Sequence, residues 1–384
     1  MTDQDTIVYL DNNATTALGA ECVEPVLNCL RDVYGNPSSK HAVGAYAKDL
    51  VQQARSAVAR LLNASPAEIV FTAGGTEANH LAILGALAAR PGKFHVVASA
   101  VEHPSTLDLL AHLERDGIRV TRLPVDGEGR LDLMELERSI TPDTALVSLM
   151  WANNETGVLF PVAEAARVAK SKGVLFHTDA VQAVGKLPID LAQTPVDLLS
   201  CSGHKFHGPK GVGALFVRKG LKLRPMLFGH QERGRRGGTE NVPAIVGMGV
   251  ASELAVKDLE EKAAAMAALR ERFEAGVLMR IPCASINGGM APRVCNTSSV
   301  RFGELEGEAI LDRLDKAHIC ASSGAACTAG GSAPSHVLGA MGLGEGKARA
   351  TIRFSLSRHT TEAEIDHTLE VLSAIVKRMT AEAA

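Results

Sequence analysis

Between about residues 65 and 220, short apolar runs alternate with amphipathic segments, and no other feature of this 384-residue chain constrains its fold as strongly. The runs Glu68-Ile-Val-Phe, Phe94-His-Val-Val-Ala-Ser, Ala145-Leu-Val-Ser-Leu-Met and Val174-Leu-Phe-His carry few polar residues. A strand covered on both faces needs no polar alternation, so these runs read as buried parallel strands. Residues 76–89 and 162–172 have helical periodicity and fall between them. Strand and helix in alternation make an α/β fold around a mostly parallel sheet. Ligands gather at the carboxyl ends of such strands, and the candidate polar residues follow strand runs as that rule requires.

Beyond this unit the pattern changes. From Pro243, which suits a first helical turn, a stretch rich in Ala, Glu, Leu and Lys predicts one long helix ending near Gly276. Strand-like Thr297-Ser-Ser-Val-Arg-Phe, a helix over 306–316 and a strand at Ala350-Thr-Ile-Arg-Phe-Ser follow. Thr361 and Glu364 have capping-box spacing before a last helix. The expected division is a large domain over 16–260 and a smaller α+β domain made of 1–15 and 261–384. A chain of this length is too long for one simple core.

Hydrophobic residues at 46% and charged residues at 22% exclude global disorder. A net charge of −3 gives no electrostatic reason to expect a nucleic-acid partner. The seven cysteines form no C-x-x-C and no zinc-spaced cluster, so no permanent metal site is expected. Their odd number suits a reducing cytoplasm. The first residues, MTDQDTIVYLDNN, lack the basic and apolar regions of a signal peptide, and no run is long enough to span a bilayer. The expected compartment is the cytoplasm.

Four local features point to chemistry. In Ser200-Cys-Ser-Gly-His-Lys205 a lysine follows a strand within small and polar residues. Schiff-base chemistry needs such an amine, shielded from bulk water, although most loop lysines are solvated surface residues. Asp179 follows an apolar strand. It would suit a pyridinium nitrogen, and equally a helix N-cap. Gly74 and Gly75 precede Thr76 between a strand and a helix start, as a phosphate cradle or a plain β–α turn would have them. His103 in Val-Glu-His-Pro is placed to stack on a flat ring and move protons, while a lone histidine is more often structural. Four such signals in one ordered sheet favour a pyridoxal-phosphate site.

A separate feature is Cys327, in Ser322-Ser-Gly-Ala-Ala-Cys-Thr-Ala-Gly-Gly-Ser. The Gly/Ala/Ser-rich stretch 321–335 reads as mobile, which favours a reactive thiol over a packed structural one. The other six cysteines have no comparable setting and are read as structural.

At these residues the chain resembles the cysteine desulfurases, the NifS type most closely. The matching stretches are Tyr9-Leu-Asp-Asn-Asn-Ala-Thr-Thr, Gly35-Asn-Pro-Ser-Ser, Val101-Glu-His-Pro, Met150-Trp-Ala-Asn-Asn-Glu-Thr-Gly, His177-Thr-Asp-Ala-Val-Gln-Ala-Val-Gly-Lys, Ser202-Gly-His-Lys, Gly229-His-Gln-Glu-Arg-Gly-Arg-Arg-Gly-Gly-Thr-Glu-Asn, Ser322-Ser-Gly-Ala-Ala-Cys-Thr-Ala-Gly and Ile352-Arg-Phe-Ser-Leu-Ser-Arg. They span nearly the whole chain in the family's order.

The resemblance implies the aminotransferase-like fold (pyridoxal-phosphate fold type I) and a homodimer with active sites near the subunit interface. It implies that Lys205 carries pyridoxal 5'-phosphate as a Schiff base, Asp179 pairs with the ring nitrogen, Gln182 bonds the phenolic oxygen and His103 stacks on the ring. Gly75, Thr76, Ser202 and His204 would hold the phosphate, and Thr239 would reach the partner subunit's phosphate. Asn154 and Arg353 would position the carboxylate of substrate L-cysteine. Cys327 would take the sulfur as a persulfide, leaving L-alanine, and pass it to an iron–sulfur scaffold protein, with nitrogenase clusters as the suggested destination. A cluster shared transiently between Cys327 and that scaffold is compatible with this role.

Two departures stand out. The chain stops at Met379-Thr-Ala-Glu-Ala-Ala, where housekeeping members carry a longer scaffold-docking tail, and Gly331-Ser332-Ala333 replaces the family's common Ser-Leu-Glu. The rival readings are a related lyase acting on selenocysteine and a non-catalytic sulfur-assembly scaffold. Intact Lys205, Asp179, His103 and Cys327 speak against the second.

Overall fold

The computed structural model describes residues 7–324 and 334–383. Its strands, in chain order, are β1 Val8–Tyr9, β2 Ile69–Thr72, β3 His95–Ser99, β4 Arg119–Leu123, β5 Thr144–Met150, β6 Leu175–Asp179, β7 Leu198–Ser202, β8 Gly213–Val217, β9 Ala284–Ile286, β10 Thr297–Phe302, β11 Ile319–Cys320 and β12 Thr351–Ser355. Seven of them form the central sheet in the order β2-β8-β7-β6-β5-β3-β4. Neighbours are parallel from β7 through β6, β5 and β3 to β4. The β8 strand runs antiparallel to both β7 and β2. The expected parallel sheet is therefore present, with one correction: the run at residue 68 pairs antiparallel with its only neighbour, although it points the same way as β7.

Burial accounts for the apolar runs. Every residue of β5 is buried. On one face Val70, Val96, Leu146, Leu175, Leu198 and Leu215 pack with Leu81, Ala82 and Ile83 of the helix Gly75–Ala89. On the other Phe71, Val97, Val147, Phe176, Leu199 and Phe216 join the largest core cluster. Each buried side chain of this size contributes about 1.5–3 kcal/mol, so both faces are strongly held.

A second core gathers Val8 and Leu10 with Phe273, Val300, Phe302, Ile352, Phe354, Leu369 and Leu372. The antiparallel sheet β12-β10-β9 lies within it. Residues from both ends of the sequence meet there, because β1 pairs with β11. The last helix, Glu362–Ala383, starts as expected: Thr361 Oγ1 accepts from the Glu364 amide, and the Glu364 carboxylate accepts from the Thr361 amide.

The expected single helix from Pro243 is in fact two, Val242–Val256 and Leu259–Arg280. Asp258 separates them at φ 57°, a left-handed conformation that Asp tolerates better than most residues. Gly276 does not end the second helix. A Cβ there would lie 2.5 Å from Leu369 Cδ1, so the glycine lets two helices approach closely.

Residues 229–241 are tied to the sheet by a buried ion pair. Arg55 of the helix Ala42–Leu61 meets Glu232 through bonds of 2.7 and 2.6 Å, with side chains only 4% and 2% exposed. Glu232 also accepts from the Phe71 amide of β2 at 3.0 Å, and Arg55 lies over the Phe71 ring. Breaking one partner of a buried pair leaves the other charge uncompensated. Glu232→Ala is expected to lower unfolding stability by about 3–5 kcal/mol in denaturant titrations; a loss below about 1 kcal/mol would show the pair is not needed.

Candidate active site

The carboxyl ends of β2, β3, β5, β6 and β7 lead into one cavity of about 280 Å³. Its walls include Gly75, Thr76, His103, Asn154, Asp179, Gln182, Ser202, His204, Lys205 and Arg353, together with Asn13 and Asn79. Sheet register explains part of this convergence. Asp179 sits opposite Met150 on one side and Ser200 on the other, so β5 and β6 end at one level and β7 runs two residues beyond it to Ser202.

Lys205 ends the short 3-10 turn Gly203–Lys205 that follows β7. Its ammonium donates to the main-chain carbonyls of Asn13 and Ala14, the latter at 2.8 Å. Asp179 is the last residue of β6. Its carboxylate accepts from Asn79 Nδ2 at 2.7 Å and from the Val181 amide at 2.9 Å. Asp179 thus caps a turn, where a helix N-cap was the plain expectation, and it also lines the cavity.

His103 also lines the cavity. It caps the helix Pro104–Arg115, accepting from the Ser105 amide on Nδ1. That bond leaves Nε2 to carry the proton of the neutral ring. Burial lowers its pKa, with Asp179 opposing and Lys205 adding to the effect.

At the other end of the cavity, Gly75 and Thr76 open the helix Gly75–Ala89, whose N-cap Gly74 supplies no side-chain bond. A Cβ on Gly75 would come within 2.8 Å of Val181 Cγ2, so a larger residue there would push that side chain aside. Ser202 Oγ is buried and has no hydrogen-bond partner. His204 is pushed down to about 4, by burial first and then by Lys205 and Lys210, and it shares a bond with Thr15 Oγ1. A helix N-terminus, an unpartnered hydroxyl and a neutral imidazole form a donor set for an anion.

Arg353 lies on β12 and is 2% exposed. It donates to Asp11 Oδ1 at 2.7 Å and to the Asn154 carbonyl at 3.1 Å, while its Nε has no partner. The Asn154 carbonyl also accepts from Asn13 Nδ2.

Cys327 lies outside the described residues. The residues flanking 325–333 are anchored to Arg353, which lines the cavity, and to Glu155, the neighbour of cavity-lining Asn154. Ser322 and Arg353 exchange two main-chain bonds. Ser335 Oγ donates to the buried Glu155 carboxylate, and a Cβ on Gly324 would collide with that same carboxylate. Thr239 is exposed and does not line the cavity.

Among the other cysteines, Cys22, Cys29, Cys201 and Cys295 are buried and Cys320 is half-buried. Burial raises the pKa of all five, Cys201 to about 12, which keeps them as thiols. Cys283 departs from the structural reading, because it is exposed. Among the described residues no cluster of His, Cys, Asp or Glu could hold a metal, and no helix is long and apolar enough to cross a membrane.

Asn13, Asn79 and Glu155 have parts in this site that no individual sequence signal assigned. Asn13 and Glu155 fall within matching stretches quoted above, Asn79 in the glycine-led helix start. Their importance comes from partners 100 to 284 positions away, such as Asn79 with Asp179 and Asn13 with Thr297.

A buried acid sits beside the site. Glu102 accepts from Ser99 Oγ and the Met150 amide, yet its Oε2 has no partner. Burial raises its pKa from 4.5 to about 8. Above pH 4.5 the unfolded chain ionises there while the native state holds its proton, so this residue lowers native stability as pH rises towards about 8. Glu102→Gln is expected to raise native stability by on the order of 1–3 kcal/mol at about pH 8 and to have no such advantage near pH 4. Thermal unfolding at both pH values checks this, and a gain equal at both would contradict it.

The Aminotransferase class-V family model matches residues 8–368. A protein named "Cysteine desulfurase" from Trichormus azollae is 51% identical over 376 residues, 98% of this chain and 94% of its own length. "Cysteine desulfurase NifS" from Azotobacter vinelandii is 49% identical over 374 residues, 97% of this chain and 93% of its own. A solved structure titled "NIFS-LIKE PROTEIN" superposes with a TM-score of 0.90 at 38% identity, covering 97% of this chain and all of that one.

Proposed function

The chain belongs to the class-V aminotransferase family, and from that membership we propose that it is a pyridoxal-phosphate-dependent cysteine desulfurase. The observation that carries the reading is the convergence of an amine, a carboxylate, an imidazole, an anion cradle and a buried guanidinium on one cavity.

The residues fit the cofactor. Unpartnered Ser202 Oγ, the open helix start at Gly75 and Thr76, and His204 suit its phosphate. Asp179, held by Asn79, suits a ring nitrogen that must stay protonated, and Lys205 is placed for covalent attachment. When bound, pyridoxal phosphate acts as an electron sink for charge developing at the substrate Cα.

The side chains divide the work. Arg353 and Asn154 take the L-cysteine carboxylate, and the unpartnered Arg353 Nε supplies a donor without displacing an existing bond. The Lys205 amine would move a proton at the substrate Cα. His103, a neutral ring held by Ser105, would lie against the cofactor ring. The Cys327 thiolate attacks the substrate sulfur, the Cβ–S bond breaks, and the three-carbon fragment is protonated to L-alanine. The sulfur stays on Cys327 as a persulfide for an acceptor.

Iron–sulfur cluster assembly, nitrogenase-related in view of the NifS resemblance, is the proposed destination, with a scaffold protein as acceptor. A homodimer is part of the same proposal. The exposed Thr239 is compatible with a role in the partner's site, since it takes no part in its own. The division into 16–260 and 1–15 with 261–384 is also proposed, supported by the second core that Val8 and Leu10 share with Phe273 and Phe354.

Lys205→Ala is expected to abolish the cofactor absorption band that a covalently attached lysine gives. An unchanged band would move the attachment elsewhere. Cys327→Ala is expected to bind cofactor and L-cysteine, seen as a spectral change, yet to release sulfide at least about 100-fold more slowly. Sulfide at the normal rate would remove Cys327 from the reaction.

A further inference from the structure

Lys186 is buried, 6% exposed, at the end of the turn that follows β6. It does not line the active-site cavity, and no ion pair joins it to a carboxylate among the described residues. An ammonium in such a place is expensive, and an apolar side chain of similar length would fill the volume without that penalty. Its surroundings suggest why a lysine stands there. Its Nζ donates to Gln182 Oε1 at 2.6 Å and to Asn13 Oδ1 at 3.3 Å.

An ammonium has donors only, so the end of the Gln182 amide that faces it has to be the oxygen. The –NH2 end is thereby turned the other way. One of its hydrogens goes to the Asn13 carbonyl, Nε2 to O at 2.9 Å, and the other remains for the cavity that Gln182 lines. A flipped amide would set –NH2 against the lysine and oxygen against the Asn13 carbonyl, losing both bonds.

Burial lowers the Lys186 pKa to about 7, with Lys205 and Arg353 adding to the effect and Cys295 opposing it. Loss of a proton leaves these bonds in place, because a neutral amine keeps two donors for its two acceptors. Asn13 is itself fixed: Oδ1 also accepts from Asn296, and Nδ2 donates to Thr297 and to the Asn154 carbonyl.

We propose that Lys186 is a positioning residue that locks the Gln182 amide with its –NH2 towards the cavity, making position 182 a dedicated donor to an anionic ring oxygen. The inference rests on the cofactor reading above. It assigns to Lys186 no contact with cofactor or substrate.

The test is a pH titration of the absorption band of the protein reconstituted with pyridoxal phosphate. A bound oxygen that loses a reliable donor becomes a better proton acceptor. Lys186→Met is therefore expected to move the titration midpoint up by about half to one pH unit. Lys186→Arg, which again offers donors only, is expected to stay near the wild type. Gln182→Leu is expected to give the Lys186→Met shift, and adding Lys186→Met to it is expected to change nothing more.

Should Lys186→Met fail to fold, Lys186→Gln remains polar but can present either end of its amide, and the same upward shift is required of it. A folded Lys186→Met or Lys186→Gln variant whose curve superposes on the wild type overturns the inference, as do shifts that add in the double variant. Wild-type protein that gains no band on reconstitution would instead overturn the cofactor reading, so the two failures are distinguishable.

Discussion

A buried or half-buried ammonium needs acceptors, and at Lys205 these are the main-chain carbonyls of Asn13 and Ala14. Carbonyls cannot ionise and cannot turn away without moving the chain, so these two bonds hold the amine in place. The arrangement also joins distant parts of the sequence. Asn13 receives Lys205 and Gln182 on its carbonyl, Lys186 and Asn296 on its side-chain oxygen, and gives hydrogen bonds to Thr297 and Asn154. The central sheet, the turn after β6 and the strand β10 of the second core meet at this one residue.

The charges around the cavity follow the same logic of burial against partner. His204 is held neutral by burial and by two lysines, and burial keeps Glu102 protonated well above the usual carboxylate range. Five of the cysteines are kept as thiols. Nucleophilic thiolate chemistry is thereby disfavoured at those positions, which leaves the sulfur step to a cysteine in another environment.

Much of the site was legible from local sequence because a parallel sheet places its ligand groups just past strand ends. Asp179, Lys205, His103 and the Gly75-Thr76 pair could be found that way, and the structure brings them to one cavity. Local sequence did not reveal Lys186 or Asn79, whose roles depend on which side chain lies opposite. It also missed the break at Asp258, where good helix formers on both sides hide one residue that turns the chain by adopting the left-handed conformation. Gly276 misled for the opposite reason: a glycine that ends many helices here permits contact with Leu369. Thr239 and Cys327 rest on the family resemblance, the first exposed away from its own cavity and the second outside the described residues.

The central claim is a transfer of sulfur from L-cysteine to the protein, and mass balance tests it most directly. After reconstitution with pyridoxal phosphate and incubation with L-cysteine, intact mass spectrometry and alanine assay are run on the same sample. The account requires a gain of one sulfur atom on the polypeptide, reversed by a thiol reductant, with alanine in equal amount. Alanine without added sulfur, or added sulfur in protein lacking Cys327, would contradict it.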